Sequence, residues 1–374
     1  MIYREYGQTG IKVSLLGFGG MRFKNIDDHD ECIRLMIAAA EGGINYFDTA
    51  PGYFGTKSET VFGKGFAEMR KRGLPYLSAT KTFESTEGGI RREIEGQLKR
   101  LNIEAIDFYH IWCITNLNQW ENRKKDGVLR TFIKLKEEGL IKHICISSHL
   151  IKNEIKELLL QGAGNSAPVF EGVLFGYSAY NFNTRQEAFD AVKEKKLGAV
   201  VMNPLGGGII PKHPDLFKFL QRKDESTVAA ALRFLWDHQE ITSTLVGFDT
   251  IEHLNEALRA MENYKPRTQA ELDEIKTKTP ASFEGLCTGC NYCGDCPANI
   301  PIPYFMDAYN HKLLKIIEND PLNKTNNDPI AERLKWHWNA DKSEAAKCTS
   351  CGQCEAACTQ HINIIERLKE IAGA

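Results

Sequence analysis

The 374-residue sequence has no apolar run long enough to cross a bilayer. Its first ten residues contain no apolar stretch of the signal-peptide kind. Neither charge is in surplus: 47 Lys+Arg stand against 49 Asp+Glu, a net charge of −2, which removes the electrostatic case for binding nucleic acid. The short basic clusters at 70–72 and 123–125 are flanked by acids and read as solvated helix ends. Gly17, Gly19 and Gly20 follow an apolar run, but they do not complete GxGxxG and no helix begins at once. The pattern therefore argues against a dinucleotide fingerprint of the open-sheet type. No flavin signature and no long internal repeat is legible. Together these absences predict a cytoplasmic protein that neither enters a membrane nor binds nucleic acid.

Cysteine is what the sequence has in concentration. Eight of its 11 cysteines lie in two runs. Cys287, Cys290, Cys293 and Cys296 follow C-x2-C-x2-C-x2-C and precede Pro297; Cys348, Cys351, Cys354 and Cys358 follow C-x2-C-x2-C-x3-C. Three thiolates at two-residue gaps wrap one iron–sulfur cube, and a fourth cysteine before proline is the tail of the bacterial ferredoxin signature. The eight thiols therefore read as ligands of two [4Fe–4S] clusters. Structural zinc asks for two separated pairs per ion, and cysteines two residues apart are poorly placed to form disulfides. In the ferredoxin pattern the fourth cysteine crosses over, which groups Cys287, Cys290 and Cys293 with Cys358, and Cys348, Cys351 and Cys354 with Cys296. Two departures bear on this: the first run's last gap is two residues, and Thr359 stands where proline usually follows. Without an export signal, clustered thiols imply a reducing compartment. Cys32 and Cys145 read as core residues, and Cys113 follows Trp112 with its strand parity pointing away from His110.

The rest of the chain alternates short apolar runs with amphipathic helices. Residues 2–6 and 11–15 flank a Gly7–Gly10 turn and read as an N-terminal hairpin. Strands are predicted over 15–19, 44–48, 76–81, 106–111, 143–147, 172–177, 199–203 and 243–247. Helical patterns run over 30–41, 90–101, 129–138, 155–160, 186–195, 228–237 and 251–261. Eight strand–helix units of roughly 30 residues predict a closed α/β (β/α)8 TIM barrel, with functional residues at the C-terminal strand ends. The expected domains are a barrel over 1–263, a linker over 264–283 and a small α-helical two-cluster ferredoxin-like domain over 284–374. Helical stretches at 304–318 and 330–340, split at 321–329, resemble the helical two-cluster ferredoxin domains joined to other redox proteins.

The second strand ends in Asp48 with Tyr53 five residues on, Ser58 and Glu59 follow, and Lys81 closes the third strand. A phenol titrates near about 10 and is a poor acid at neutral pH unless tuned. An ammonium beside it stabilises the phenolate, and a buried aspartate holds that ammonium charged and placed. Such a trio serves general acid–base work on a carbonyl or hydroxyl; the plainer reading is a buried ion pair beside a loop tyrosine. With the hairpin and Asn203-Pro204-Leu205, the trio resembles the aldo-keto reductases over about residues 1–262. The resemblance implies that Tyr53 exchanges a proton with a carbonyl compound while NAD(P)H delivers hydride.

The resemblance departs from the family at several positions. The family's histidine position after its fourth-strand aspartate, here Asp107, holds Trp112. His110 lies two residues earlier, roughly 6–7 Å deeper along the strand. It is either raised by a bulge or a core residue. For the nicotinamide pocket, the resemblance implies Ser147, Ser148, Tyr177, Asn203, Leu205, Gly206, Gly247 and Asp249. Ser148, Tyr177 and Met202 replace the family's usual Asn, Gln and stacking aromatic. Asp249, where a basic residue often meets the 2′-phosphate, favours NAD over NADP. The Gly206–Gly208 loop reads as phosphate-facing or as a simple turn.

Nicotinamide passes two electrons as hydride whereas each cluster passes one. The clusters are therefore structural, feed the substrate directly, or work through a mediator. The expected protein is an oxidoreductase acting on a small carbonyl, alcohol or activated alkene, with a ferredoxin or other redox protein as partner. An electron-transfer protein whose barrel is a docking scaffold is the second reading. A lyase or isomerase on the same barrel is the third.

Overall fold

In the computed structural model, the residues described are 1–161, 169–262, 264–279, 283, 285–318 and 328–373, with 315–318 as backbone only. They form two compact units, Met1–Leu205 with Leu220–Ile275, and Gly206–Phe219 with Lys276–Ala374.

The first unit begins with the expected hairpin, β1 (Tyr3–Glu5) antiparallel to β2 (Lys12–Ser14). Eight parallel strands then close a barrel: β3 (Leu16–Gly19), β4 (Tyr46–Asp48), β5 (Leu77–Thr82), β6 (Ile106–Ile114), β7 (Ile141–Ser148), β8 (Gly172–Gly176), β9 (Gly198–Met202) and β10 (Ile241–Val246). The eight predicted strands are present, with β10 pairing back to β3. β6 runs on past its expected end to Ile114, through a register shift between Ile111 and Ile114. Cys113 sits in that shift with a φ of 59°, in the left-handed region.

The barrel floor is closed from the hairpin side. Tyr6 is fully buried among Tyr46, Phe108, Cys145, Leu174 and Val200. A Cβ on Gly172 would lie 1.9 Å from its hydroxyl, and one on Gly198 would lie 2.4 Å from its ring. Both strands therefore carry glycine where the ring passes. Cys145 is a core residue, 3.4 Å from the Tyr6 hydroxyl.

The stretch expected as a linker is partly structured. Residues Gln269–Lys278 form a helix, and Arg267 donates to Asp237 at 2.9 Å with both side chains buried. Tyr264 also donates to Asp237 at 2.9 Å, so this segment belongs to the barrel unit as far as Ile275. The helix Leu117–Asp126 was not anticipated; its predominantly polar sequence hides the pattern, although Asn116 caps it by accepting from the Gln119 amide at 2.8 Å.

The second unit carries the helices Ile302–Glu318, Pro329–Arg333 and Ile364–Ala372 around Phe305, Met306, Leu334, Cys358 and Leu368. The break predicted over 321–329 lies outside the described residues as far as 327. Asp307 ties the helices together, accepting from Arg333 Nε and Trp338 Nε1, each at 2.8 Å. Gly206–Phe219 packs within this unit. A Cβ on Gly207 would fall 2.1 Å from the Thr288 carbonyl, and Phe217 stacks on Phe283 at 4.9 Å.

Candidate active site and cluster cavities

Parallel pairing brings the ends of β4, β5 and β6 side by side, with Lys81 in register with His110. Asp48 and Lys81 point inward at the mouth. Lys81 Nζ donates to both Asp48 oxygens at 2.6 Å and to the Thr49 carbonyl at 2.8 Å. Both side chains are buried. Burial pushes the Asp48 carboxyl up and the Lys81 ammonium down, and their mutual attraction opposes both shifts.

Tyr53 comes from the loop after β4, where Phe54, Gly55 and Thr56 all adopt left-handed backbone. Its ring centre stands 5.5 Å from Lys81 Nζ and meets Trp112 edge-on at 5.9 Å. Asp48, Lys81 and Tyr53, read from the sequence as a trio, are thus one cluster.

Trp112 takes the inward position at the mouth. It stacks on Phe83 at 3.9 Å, and its carbonyl accepts from buried Arg123 at 2.7 Å. The Arg123 guanidinium also lies 5.9 Å from the Phe83 ring centre. Sequence reasoning missed Phe83 and Arg123, because the contacts depend on a helix hidden by its polar sequence. It also left Glu59 without a role. Buried Glu59 accepts from Thr80, Gln97 and Arg100 at 2.7, 3.0 and 2.7 Å, and Gln97 holds the Lys81 carbonyl at 2.8 Å. This outer network fixes the strand that carries Lys81.

His110 is not raised. The bulge lies beyond it, at 112–113, so the imidazole stays fully buried with Nδ1 3.2 Å from the Thr80 carbonyl. Burial first, then the Lys81 charge, lower its pKa from 6.5 to about 3. Between these values the unfolded chain binds the extra proton. The stability contributed by neutral His110 is therefore complete above pH 6.5 and is lost as pH falls toward 3. Anaerobic denaturant titrations of His110→Gln are expected to show a shallower loss of barrel stability between pH 7 and 5 than wild type. Equal slopes would remove His110 as the source.

The residues expected for the nicotinamide pocket divide. Ser147 faces inward with a buried hydroxyl that has no hydrogen-bond partner among the described residues. Asn203, at φ 56°, and Leu205 follow β9, and Gly247 follows β10, where a Cβ would lie 2.6 Å from Arg22. Ser148 turns to its own loop, donating to the Ile114 carbonyl at 3.4 Å and accepting from the Leu150 amide at 3.1 Å. Tyr177 lies one residue past β8 and points outward, packed against Phe189 and Phe234 with its hydroxyl 3.1 Å from His238. It cannot line the mouth. Gly206 falls in the second unit. Asp249 is exposed and sits 2.9 Å from His253 Nδ1.

In the second unit, one cavity is lined by Cys287, Cys290, Cys293 and Cys358. Another is lined by Cys296, Cys348, Cys351 and Cys354. Each draws thiols from both runs, in the grouping of the crossed pattern. Left-handed residues tighten each run: Gly289 and Asn291 in the first, Ser350 and Gly352 in the second. Among the described residues no group of three or more His, Cys, Asp or Glu closes on a single ion. Four thiols spread round a cavity suit an iron–sulfur cube better than one zinc ion.

A closed parallel barrel with an ion-paired lysine beside a mouth tyrosine, joined to an eight-cysteine domain, is the framework of an oxidoreductase of barrel type with a dicluster domain. Residues 15–279 match the Aldo/keto reductase family and residues 286–363 match a 4Fe-4S dicluster domain. The chain belongs to the aldo/keto reductase family. It is similar to L-galactose dehydrogenase of Arabidopsis thaliana, 27% identical over 289 residues that cover 69% of this chain and 87% of the relative. It is equally similar to an uncharacterised oxidoreductase of Bacillus subtilis, 27% identical over 311 residues, covering 70% and 91%. Among solved structures, the holo form of an aldo-keto reductase from Bacillus halodurans superposes with a TM-score of 0.64 at 25% identity, covering 75% of this chain and 97% of that one. No helix among the described residues is long and apolar enough to cross a membrane.

Proposed function

We propose that this iron–sulfur aldo-keto reductase reduces or oxidises a small carbonyl, alcohol or activated alkene at the barrel mouth, with Tyr53 as general acid and base. The observation that carries the reading is the buried Lys81–Asp48 pair beside the Tyr53 ring. Tyr53 gives its proton to the substrate oxygen, and the charge left on the phenolate is stabilised by the Lys81 ammonium. Asp48 keeps Lys81 ionised and aimed, and the Trp112 ring meets Tyr53 edge-on beside the pair. A nicotinamide, when bound, would supply the hydride; Ser147, Asn203, Leu205 and Gly247 would hold it, and Asp249, two residues past Gly247, would favour NAD over NADP. The eight cysteines would hold two [4Fe–4S] clusters, which supply single-electron storage and exchange with a ferredoxin or similar redox protein.

A second reading, an electron carrier with a scaffold barrel, is favoured by the outward Tyr177 and by Asp249 lying against His253. Fluorescence titration of the anaerobic holoprotein separates the two. Micromolar binding of NADH, tighter than that of NADPH, is expected. Silence with both nucleotides, together with reversible cluster reduction, would replace the enzyme with the carrier.

A further inference from the structure

At the barrel mouth β6 carries one residue more than the strand beside it. Its pairing with β7 steps from Ile111 opposite Ile146 to Ile114 opposite Ser148, so Trp112 and Cys113 together face Ser147. Cys113 keeps its φ of 59°, a backbone that a residue with a side chain holds only where its surroundings fix it. A charged donor stands at that point: Arg123 Nη1 meets the Trp112 carbonyl at 2.7 Å.

The arginine is itself placed by packing. It follows Trp120 by one helical turn on the buried face of the helix Leu117–Asp126, and Trp120 is fully buried beside Phe170. Arg123 is coupled to Trp112 a second time through Phe83. Its guanidinium carbon lies 5.9 Å from the Phe83 ring centre, and Phe83 stacks on the indole at 3.9 Å.

The other edge of the indole rests on the loop that carries Tyr53. A Cβ on Gly52 would lie 2.8 Å from Trp112 Cη2, and the Tyr53 ring meets the indole at 5.9 Å. Contacts therefore run without a break from Arg123 through Trp112 to Gly52 and Tyr53. On its other side Tyr53 faces the Lys81–Asp48 pair, with Lys81 Nζ 5.5 Å from the ring centre.

We infer that Arg123 is a positioning residue for the proton transfer: through Trp112 it sets how close the Tyr53 phenol stands to the Lys81 ammonium. The inference rests on the proposed role of Tyr53. An ammonium close to a phenol lowers the pH at which the phenol ionises, so the phenol's midpoint reports its distance from Lys81. Without the arginine bond the bulge relaxes, the indole shifts and the Tyr53 loop follows it away from Lys81. A displacement of about 1 Å is enough to lower turnover roughly 10²-fold.

The test is an absorbance titration of the full-length anaerobic holoprotein. Each variant is paired with its own Tyr53→Phe form, so that the difference isolates the Tyr53 phenolate. Arg123→Met is expected to raise the Tyr53 midpoint, and Arg123→Lys to bring most of it back. The arginine charge by itself would also lower the midpoint, and a Trp112→Ala background separates the two causes. There Arg123→Met should shift nothing further, whereas a direct effect of charge would persist. Phe83→Leu, at an exposed position, changes no charge and should move the midpoint the same way; it carries the test if Arg123→Met does not fold. Turnover should fall with the shift, kcat more than KM. An unmoved midpoint in whichever of these two variants folds, or an equal shift in the Trp112→Ala background, would overturn the inference. Wild-type turnover by Tyr53→Phe would overturn the functional reading alone, because the titration needs no turnover.

Discussion

Replacing Tyr53 by phenylalanine is expected to lower turnover by about 10²–10⁴-fold, the range general acid–base catalysis supplies. Fold and ligand affinity should stay close to wild type. Phenylalanine keeps the ring that meets Trp112 edge-on and faces Lys81, and it loses only the hydroxyl that moves the proton. Lys81→Met should lower turnover too, with a further consequence that spacing alone did not reveal. Both Asp48 oxygens are held by Lys81 at 2.6 Å in a buried site, so methionine leaves a carboxylate without its counter-charge. Breaking such a pair costs about 3–5 kcal/mol, and Lys81→Met should melt well below wild type while Tyr53→Phe does not. Steady-state turnover and anaerobic thermal melts of both variants check this. Wild-type turnover by the Tyr53→Phe protein would remove Tyr53 from the mechanism.

Replacing Cys358 by serine is expected to damage the cluster of the first run, although Cys358 belongs to the second. Its sulfur lines the cavity of Cys287, Cys290 and Cys293, and its neighbours Ile362 and Leu368 share the apolar core behind it. Cys296, followed by Pro297, makes the reciprocal crossing into the cavity of Cys348, Cys351 and Cys354. Each cluster would then staple both ends of the domain, which accounts for runs about 50 residues apart sharing one small core. Anaerobic iron counting with EPR decides the matter. Loss or alteration of the first-run signal alone is expected, and a change confined to the second-run cluster would refute the crossed grouping.

What the sequence by itself determined is what short-range chemistry and regular spacing encode. The cysteine intervals announced the dicluster domain because a loop of fixed length must meet iron at fixed gaps. The Asp48–Tyr53–Lys81 pattern was legible because two strand ends and one loop carry it, and the strand–helix rhythm implied the closed barrel. Tertiary structure decided where side chains point and what long-range packing captures. β8 is apolar on both faces, so no alternation told that Tyr177 faces outward. The Cys113 bulge lies beyond His110 and leaves it buried, a placement visible only once β7 pairs alongside. Arg267 reached Asp237 across the chain and drew the expected linker into the barrel unit. The Thr359–Cys290 contact likewise joins residues far apart in the chain, and no local pattern records it. Spacing names the chemistry a segment can do, but side-chain direction is settled by strand pleat, and buried partners are chosen only when distant segments pack.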